Sequence, residues 1–273
     1  MSFIIGFNQN TVKEAETNTP LTDNAVRKNK PQKSLVRVYF EDRDFSCSYY
    51  NDKFALKVGD IVFVEGKMEN LRGRVVAVSY GFKIKLSDYK RVIALADTEV
   101  HGKMYMTRNF FLSFDRNILP YSKVSTWYAP PLKEDDEIIS GEDDSTYPLS
   151  EDMKELKATH QAYNRGVDYY LDGNVKFIEL DGENGRAIVE GGRGYIVEFQ
   201  YKNGEVSKLK CDCYCVGICK HIVATLLQLK EILKSVEEKY TDIYKESGYF
   251  SGINKATLLS TVTMQREQGE ITL

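Results

Sequence analysis

Four of the five cysteines of this chain lie between positions 211 and 219, as Cys211, Cys213, Cys215 and Cys219, and His221 follows at once. Thiolate sulfur and imidazole nitrogen are the donors zinc prefers, four at a time, in a tetrahedron. Cysteines at i and i+2 are poor disulfide partners, because so tight a ring strains the bridge. No apolar run approaches the roughly 18 residues of a membrane helix, and the apolar start Met1–Phe7 is too short for a signal peptide and lacks a basic lead. A cytoplasmic location is therefore expected, with reduced thiols, so clustered cysteines read as metal ligands before disulfides. Five donors compete for four places. Four protein ligands leave no open position for water or substrate, so the expected cofactor is one structural zinc ion. No H-E-x-x-H spacing of a metal hydrolase occurs.

The positions of these donors make demands on the elements around them. Cys211 and Cys213 must sit at a strand end, where both can turn toward one ion. Gly217 lets the chain double back. Cys219 must precede a helix and His221 must lie in its first turn, because residues two apart inside a regular helix face nearly opposite ways. The pattern agrees. Residues 206–210 read as a short strand, and His221 to Tyr240 as an amphipathic helix with Ile222, Val223, Leu226, Leu227, Leu229, Ile232, Leu233 and Val236 on its buried side. Upstream, a helix is predicted from Glu151 to Tyr170, stopped by Asp172-Gly173. Strands are predicted at Val175–Leu180, Arg186–Glu190 and Tyr195–Tyr201, with Gly-containing turns between them. The tail, 241–273, is weakly patterned, with one helix near Lys255 to Thr263.

The front half reads differently. Residues 1–32 form a polar lead-in. From Leu35, short β-rich runs recur at roughly ten-residue spacing, at 35–40, 45–54, 60–64, 74–78, 82–86 and 91–95. That cadence predicts a small β-barrel over 33–128. Residues 129–151, with Pro130-Pro131 and the acidic runs 134–137 and 142–144, read as an acidic linker whose composition cannot build a core. The expected class is α+β: a barrel-like front domain, the linker, a zinc-bearing α+β domain at 152–240 and a tail at 241–273.

Net charge over the chain is −3, but its distribution is uneven: +6 over residues 1–130, −7 over 131–160 and −2 over the rest. Arg72, Arg74, Lys83 and Lys85, interleaved with Tyr49, Tyr50, Tyr80 and Phe82, are candidates to hold phosphates and stack bases. Lys208, Lys210 and Lys220 flank the cysteines and are candidates for phosphate contact there. His101 and His160 stand apart from the cluster.

The local pattern C-x-C, five residues, C-x-H resembles the SWIM zinc finger. Its flanks agree: residues 163–175 resemble the helix and first strand of those modules, Gly194–Val197 the strand before the finger, and Cys219-Lys220-His221-Ile222-Val223-Ala224 the finger's end. The resemblance spans about residues 155–235. It implies that Cys211, Cys213, Cys219 and His221 are the ligands, with Cys215, where many members carry Pro, outside the set. The other reading keeps Cys215 as an alternate ligand. SWIM modules accompany bacterial Swi/Snf-family ATPases and Mutator-type transposases, which implies nucleic-acid or protein binding. The front barrel is similar in cadence to KOW-type and primosomal-helicase barrels. No G-x-x-x-x-G-K-[ST] or triad spacing stands out, so no enzyme and no small-molecule substrate are expected. The expected function is a non-catalytic accessory protein binding nucleic acid, DNA favoured. The alternative is an adaptor that recruits or regulates a Swi/Snf-type ATPase or helicase.

Overall fold

The structure is a computed structural model describing residues 2–5, 33–80, 88–130, 141–149, 153, 156–263 and 271–272. The strand expected at 82–86, the acidic run 134–137 and most of the lead-in lie outside the described residues. The first strand, β1 (Ser2–Ile5), belongs to the larger of two sheets. The smaller sheet holds β2 (Ser34–Phe40), β3 (Phe45–Asn51), β4 (Ile61–Val64), β5 (Gly73–Ser79) and β6 (Val92–Leu95), in the order β3-β2-β5-β4-β6, with antiparallel pairing. Val36, Val38 and Phe40 alternate onto its buried face, as period-2 patterning requires.

Among the described residues the expected barrel is not closed. The two edge strands meet at a single parallel bridge, Tyr50 to Arg91, where Tyr50 N–H donates to Lys90 O at 2.9 Å. Closure needs a tilted, staggered ladder, and β4 and β6, at four residues each, are too short to carry one.

The larger sheet has eleven strands and is antiparallel throughout. With β1 it contains β7 (Lys103–Met106), β8 (Phe110–Ser113), β9 (Gly141–Asp143), β10 (Tyr147–Pro148), β11 (Val175–Asp181), β12 (Asn184–Glu190), β13 (Gly194–Lys202), β14 (Glu205–Cys211), β15 (Tyr249–Asn254) and β16 (Ile271–Thr272). Its order is β10-β14-β13-β12-β11-β15-β8-β7-β1-β16, with β9 also on β14. The helices are α1 (Tyr121–Val124), α2 (His160–Leu171), α3 (Lys220–Lys239), α4 (Thr241–Ser247) and α5 (Lys255–Thr263). No described helix is long and apolar enough to cross a membrane.

Alternation sorts the large sheet into two faces. Ile178, Leu180, Ala187 and Val189 pack with Ile222, Leu226 and Leu229 of α3. Their neighbours Phe177 and Ile188 point the other way, toward Trp127, Ile253, Leu258 and Val262. Trp127 is fully buried in this second core, and its Nε1 donates to Asp97 O at 2.7 Å.

Three further expectations are corrected. Helix α2 begins at His160, not near 151, because Thr159 caps it: its backbone is extended and its Oγ1 accepts from Ala162 N–H. The helix at 255–263 is present, but the stretch before it in the expected tail is part of the sheet, since β15 lies between β11 and β8. Within the expected linker, residues 141–143 and 147–148 are strands paired to β14.

Candidate metal centre

Strand β14 delivers Cys211 at its last residue. The chain bends after Cys211, and that bend brings Cys213 to the same side. The residue between them is clamped. Asp212 accepts from Arg193 Nη1 at 2.8 Å and from Ile196 N–H at 2.8 Å, and its own N–H donates to Ile196 O at 3.1 Å. The chain then projects outward as Tyr214, Cys215 and Val216, all exposed, and returns through Gly217 at φ +72°, a left-handed conformation that disfavours side chains. Cys219 is the N-cap of α3, with extended backbone, and its carbonyl accepts from Val223 N–H at 3.1 Å. His221, the second residue of α3 and so within its first turn, faces back to the strand.

The result is a converging set. The donor atoms of Cys211, Cys213, Cys219 and His221 all lie within 4.8 Å of one another, and all four residues are buried. His221 Nδ1 is 3.6 Å from Cys211 Sγ and 3.8 Å from Cys219 Sγ. A tetrahedron with Zn–S bonds of about 2.3 Å and a Zn–N bond of about 2.05 Å has an S···N edge of about 3.6 Å. The donor chemistry and spacing therefore suit a four-coordinate zinc-type ion. Cys215 is exposed and outside the group. His101 and His160 are far from it along the chain and exposed.

The electrostatics point the same way. The Cys219 thiol is pushed down, chiefly by the hydrogen bond with Cys211, with His221 and the Ile222 N–H at the helix start also favouring the thiolate. Cys211 is pushed up, first by that hydrogen bond and then by burial. Cys213 is pushed up to about 11, mainly by burial. Three buried thiols this close resist ionising together; a divalent cation among them reverses that. The imidazole is sandwiched: Tyr195 stacks on it at 4.1 Å and 18°, and Tyr169 meets it edge-on at 5.6 Å and 61°. Its Nε2 is buried with no hydrogen-bond partner, while Nδ1 faces the sulfurs.

The candidate phosphate contacts are mostly engaged within the chain. Lys210 Nζ pairs with Glu142 at 2.6 Å. Lys220 Nζ donates to Tyr169 OH at 2.6 Å. Arg72 donates to Thr261 Oγ1 at 2.9 Å, and Arg74 to Gly59 O and Ser260 O, which ties the small sheet to α5. Lys208 is exposed. Lys83 and Lys85 lie outside the described residues. Of the expected stacking aromatics, Tyr49 and Tyr50 are core residues and Tyr80 is exposed.

Sequence reasoning missed the residues that hold the ligands in place. Arg193, Tyr195 and Tyr169 are remote from the cysteines in sequence, and the β13–β14 pairing and the α2–α3 packing bring them there. Asp212 had a signal, since a carboxylate between two cysteines needs a partner. No protein-family model, curated protein or solved structure matches this chain.

Proposed function

We propose that the chain is a non-catalytic protein-interaction module built around one structural zinc ion, held by Cys211, Cys213, Cys219 and His221 in the manner of a SWIM finger. The convergence of four buried donors within 4.8 Å carries this reading. The ion joins the end of β14 to the start of α3. With four protein donors it has no site for substrate, so its role is to fix the loop between them. That loop presents Tyr214 at 88% and Val216 at 98% exposure, an apolar tip on a rigid base. On the SWIM resemblance, the partner class is a Swi/Snf-type ATPase or helicase.

A second reading, nucleic-acid binding with DNA favoured, draws on the exposed Lys208 and on Tyr214 as a stacking face. The internal engagement of Lys210, Lys220, Arg72 and Arg74 favours the protein-interaction reading over it.

Elemental analysis of the purified, reduced protein tests the metal. The expected result is one zinc per chain, and cobalt exchanged into the site should give the absorption of a tetrahedral thiolate complex. Reduced, folded protein that takes up neither metal overturns the reading. Binding to single- and double-stranded DNA at about 50 mM salt, where phosphate contacts are strongest, separates the two readings; measurable affinity there favours the second.

A further inference from the structure

The outer edge of β14 is covered in an unusual way. The strand has seven residues and runs directly into Cys211. Its inner edge is paired along β13, and among the described residues its outer edge meets three residues of β9 and two of β10. Between the two patches β14 is distorted. The register against β13 shifts between Glu198 and Gln200, and Lys208 there has φ +50°. Such bulges end or re-aim strand pairing and recur beside binding sites.

The segment on that edge has a definite chemistry. Glu142 faces Lys210 in register and pairs with it at 2.6 Å; Asp143 faces Leu209. Tyr147 lies opposite Val206, is buried in the same core as α3, and its hydroxyl donates to Asp143 Oδ2 at 3.1 Å. Pro148 then sits opposite Glu205, and the next residue still bonds across, Leu149 N–H donating to Gly204 O at 2.8 Å. The segment also belongs to the most acidic stretch of the chain, net −7 over 131–160.

We propose that the β14 edge is a strand-addition site for an acidic extended segment of a partner protein, and that residues 141–148 hold it in this chain as a built-in competitor. The partner strand supplies a carboxylate opposite Lys210 and an aromatic side chain about five residues later, in the Tyr147 pocket. Main-chain hydrogen bonds give such a strand its affinity, and the two side-chain positions give it specificity. Because Gly141 is in register with Cys211, exchange at this edge acts directly on the first metal ligand. The inference rests on the protein-interaction reading and names its partner class.

A tethered competitor has an effective concentration far above that of a free peptide, so the test weakens the tethered copy. The probe is a labelled peptide of residues 141–149, added to the full chain carrying Glu142→Lys and Tyr147→Ala. It should bind this variant at least about tenfold more tightly than the unaltered chain. The same peptide carrying Glu142→Lys and Asp143→Lys should bind the variant at least about fivefold more weakly than the native peptide. Equal binding to variant and unaltered chain, or binding indifferent to the peptide's charge, overturns the proposal. So does an oligothymidine strand that binds the variant where the peptide does not, which makes the edge a nucleic-acid site. Should the Tyr147 change prevent folding, Glu142→Lys alone alters an exposed side chain. It should speed hydrogen exchange of the 205–211 amides, and added native peptide should slow it again; no change in either step overturns the proposal. Zinc content measured on every sample tells loss of the metal centre apart from failure of the edge.

Discussion

Each donor at the metal centre is tied to a different kind of support. Cys211 is held by the β13–β14 ladder, Cys213 by the clamp on Asp212, Cys219 by the helix start and His221 by Tyr195 and Tyr169. Metal binding and local folding are coupled in such a site. Cys219→Ala is therefore expected to abolish stoichiometric zinc and to cost about 4 kcal/mol or more, the range associated with loss of a metal. Hydrogen exchange should rise over residues 205–225 and stay unchanged in the small sheet, which shares no ligand with the site. Equal loss of protection in both sheets would count against the prediction. Cys215→Ser should keep its zinc and change stability by less than about 0.5 kcal/mol, because the side chain is exposed. The donor set was legible in the sequence because zinc's preferences are local and the spacing is short. The choice among five donors came from resemblance, and the structure bears on it through the exposure of Cys215. The supports were not legible, because Tyr169 and Arg193 reach the site only through tertiary packing.

Helix α3 carries half the centre, and its placement depends on α2. The two meet at Gly166, where an added Cβ would lie 2.4 Å from Val223 Cβ and 3.0 Å from Lys220 O. Val223 and Lys220 flank His221, so this close approach sets the depth of the ligand. Gly166→Ala raises helix propensity by about 1 kcal/mol, whereas overpacking costs about 1–3 kcal/mol. Overpacking wins here because one of the crowded atoms is backbone. The expected net loss is up to about 2 kcal/mol, read as a lowered melting temperature together with weaker retention of zinc against a chelator. A higher melting temperature with unchanged retention would show that the helices separate freely. The same elements show where sequence patterning succeeds. The amphipathic stripe of α3 has one buried face, and β11–β14 have turns that mark their ends. Strand β15 has neither: Tyr249 to Ile253 are buried on both faces, and Ser251 and Gly252 interrupt the apolar run. A central strand of that composition has no period to detect.

On the scale of the molecule, β15 decides which part of the chain can stand alone. The SWIM resemblance ends near residue 235, yet β11, the first strand of that region, is paired on its other edge by β15, which in turn pairs β8. A fragment of residues 152–240 leaves out both. It loses the buried Tyr249, Phe250 and Ile253, each contributing about 1.5–3 kcal/mol of burial, so about 5 kcal/mol or more in all. It also loses Phe110, Leu112 and Phe114, which pack in the same core as Ile232 and Val236. Whole-domain stabilities are about 5–15 kcal/mol, so the deficit is comparable to the total. The fragment also bares the edge of β11, with Phe177, Ile178 and Leu180 along it, a template for intermolecular pairing. Residues 152–240 are therefore expected to aggregate, or to unfold without a cooperative transition even with zinc supplied. A fragment of residues 103–263, which restores β7, β8 and β15, should unfold cooperatively and hold one zinc. Calorimetry and metal analysis on the two fragments distinguish the cases. A cooperative, zinc-loaded 152–240 would place the folding unit within those residues and make the large sheet an assembly of separable parts.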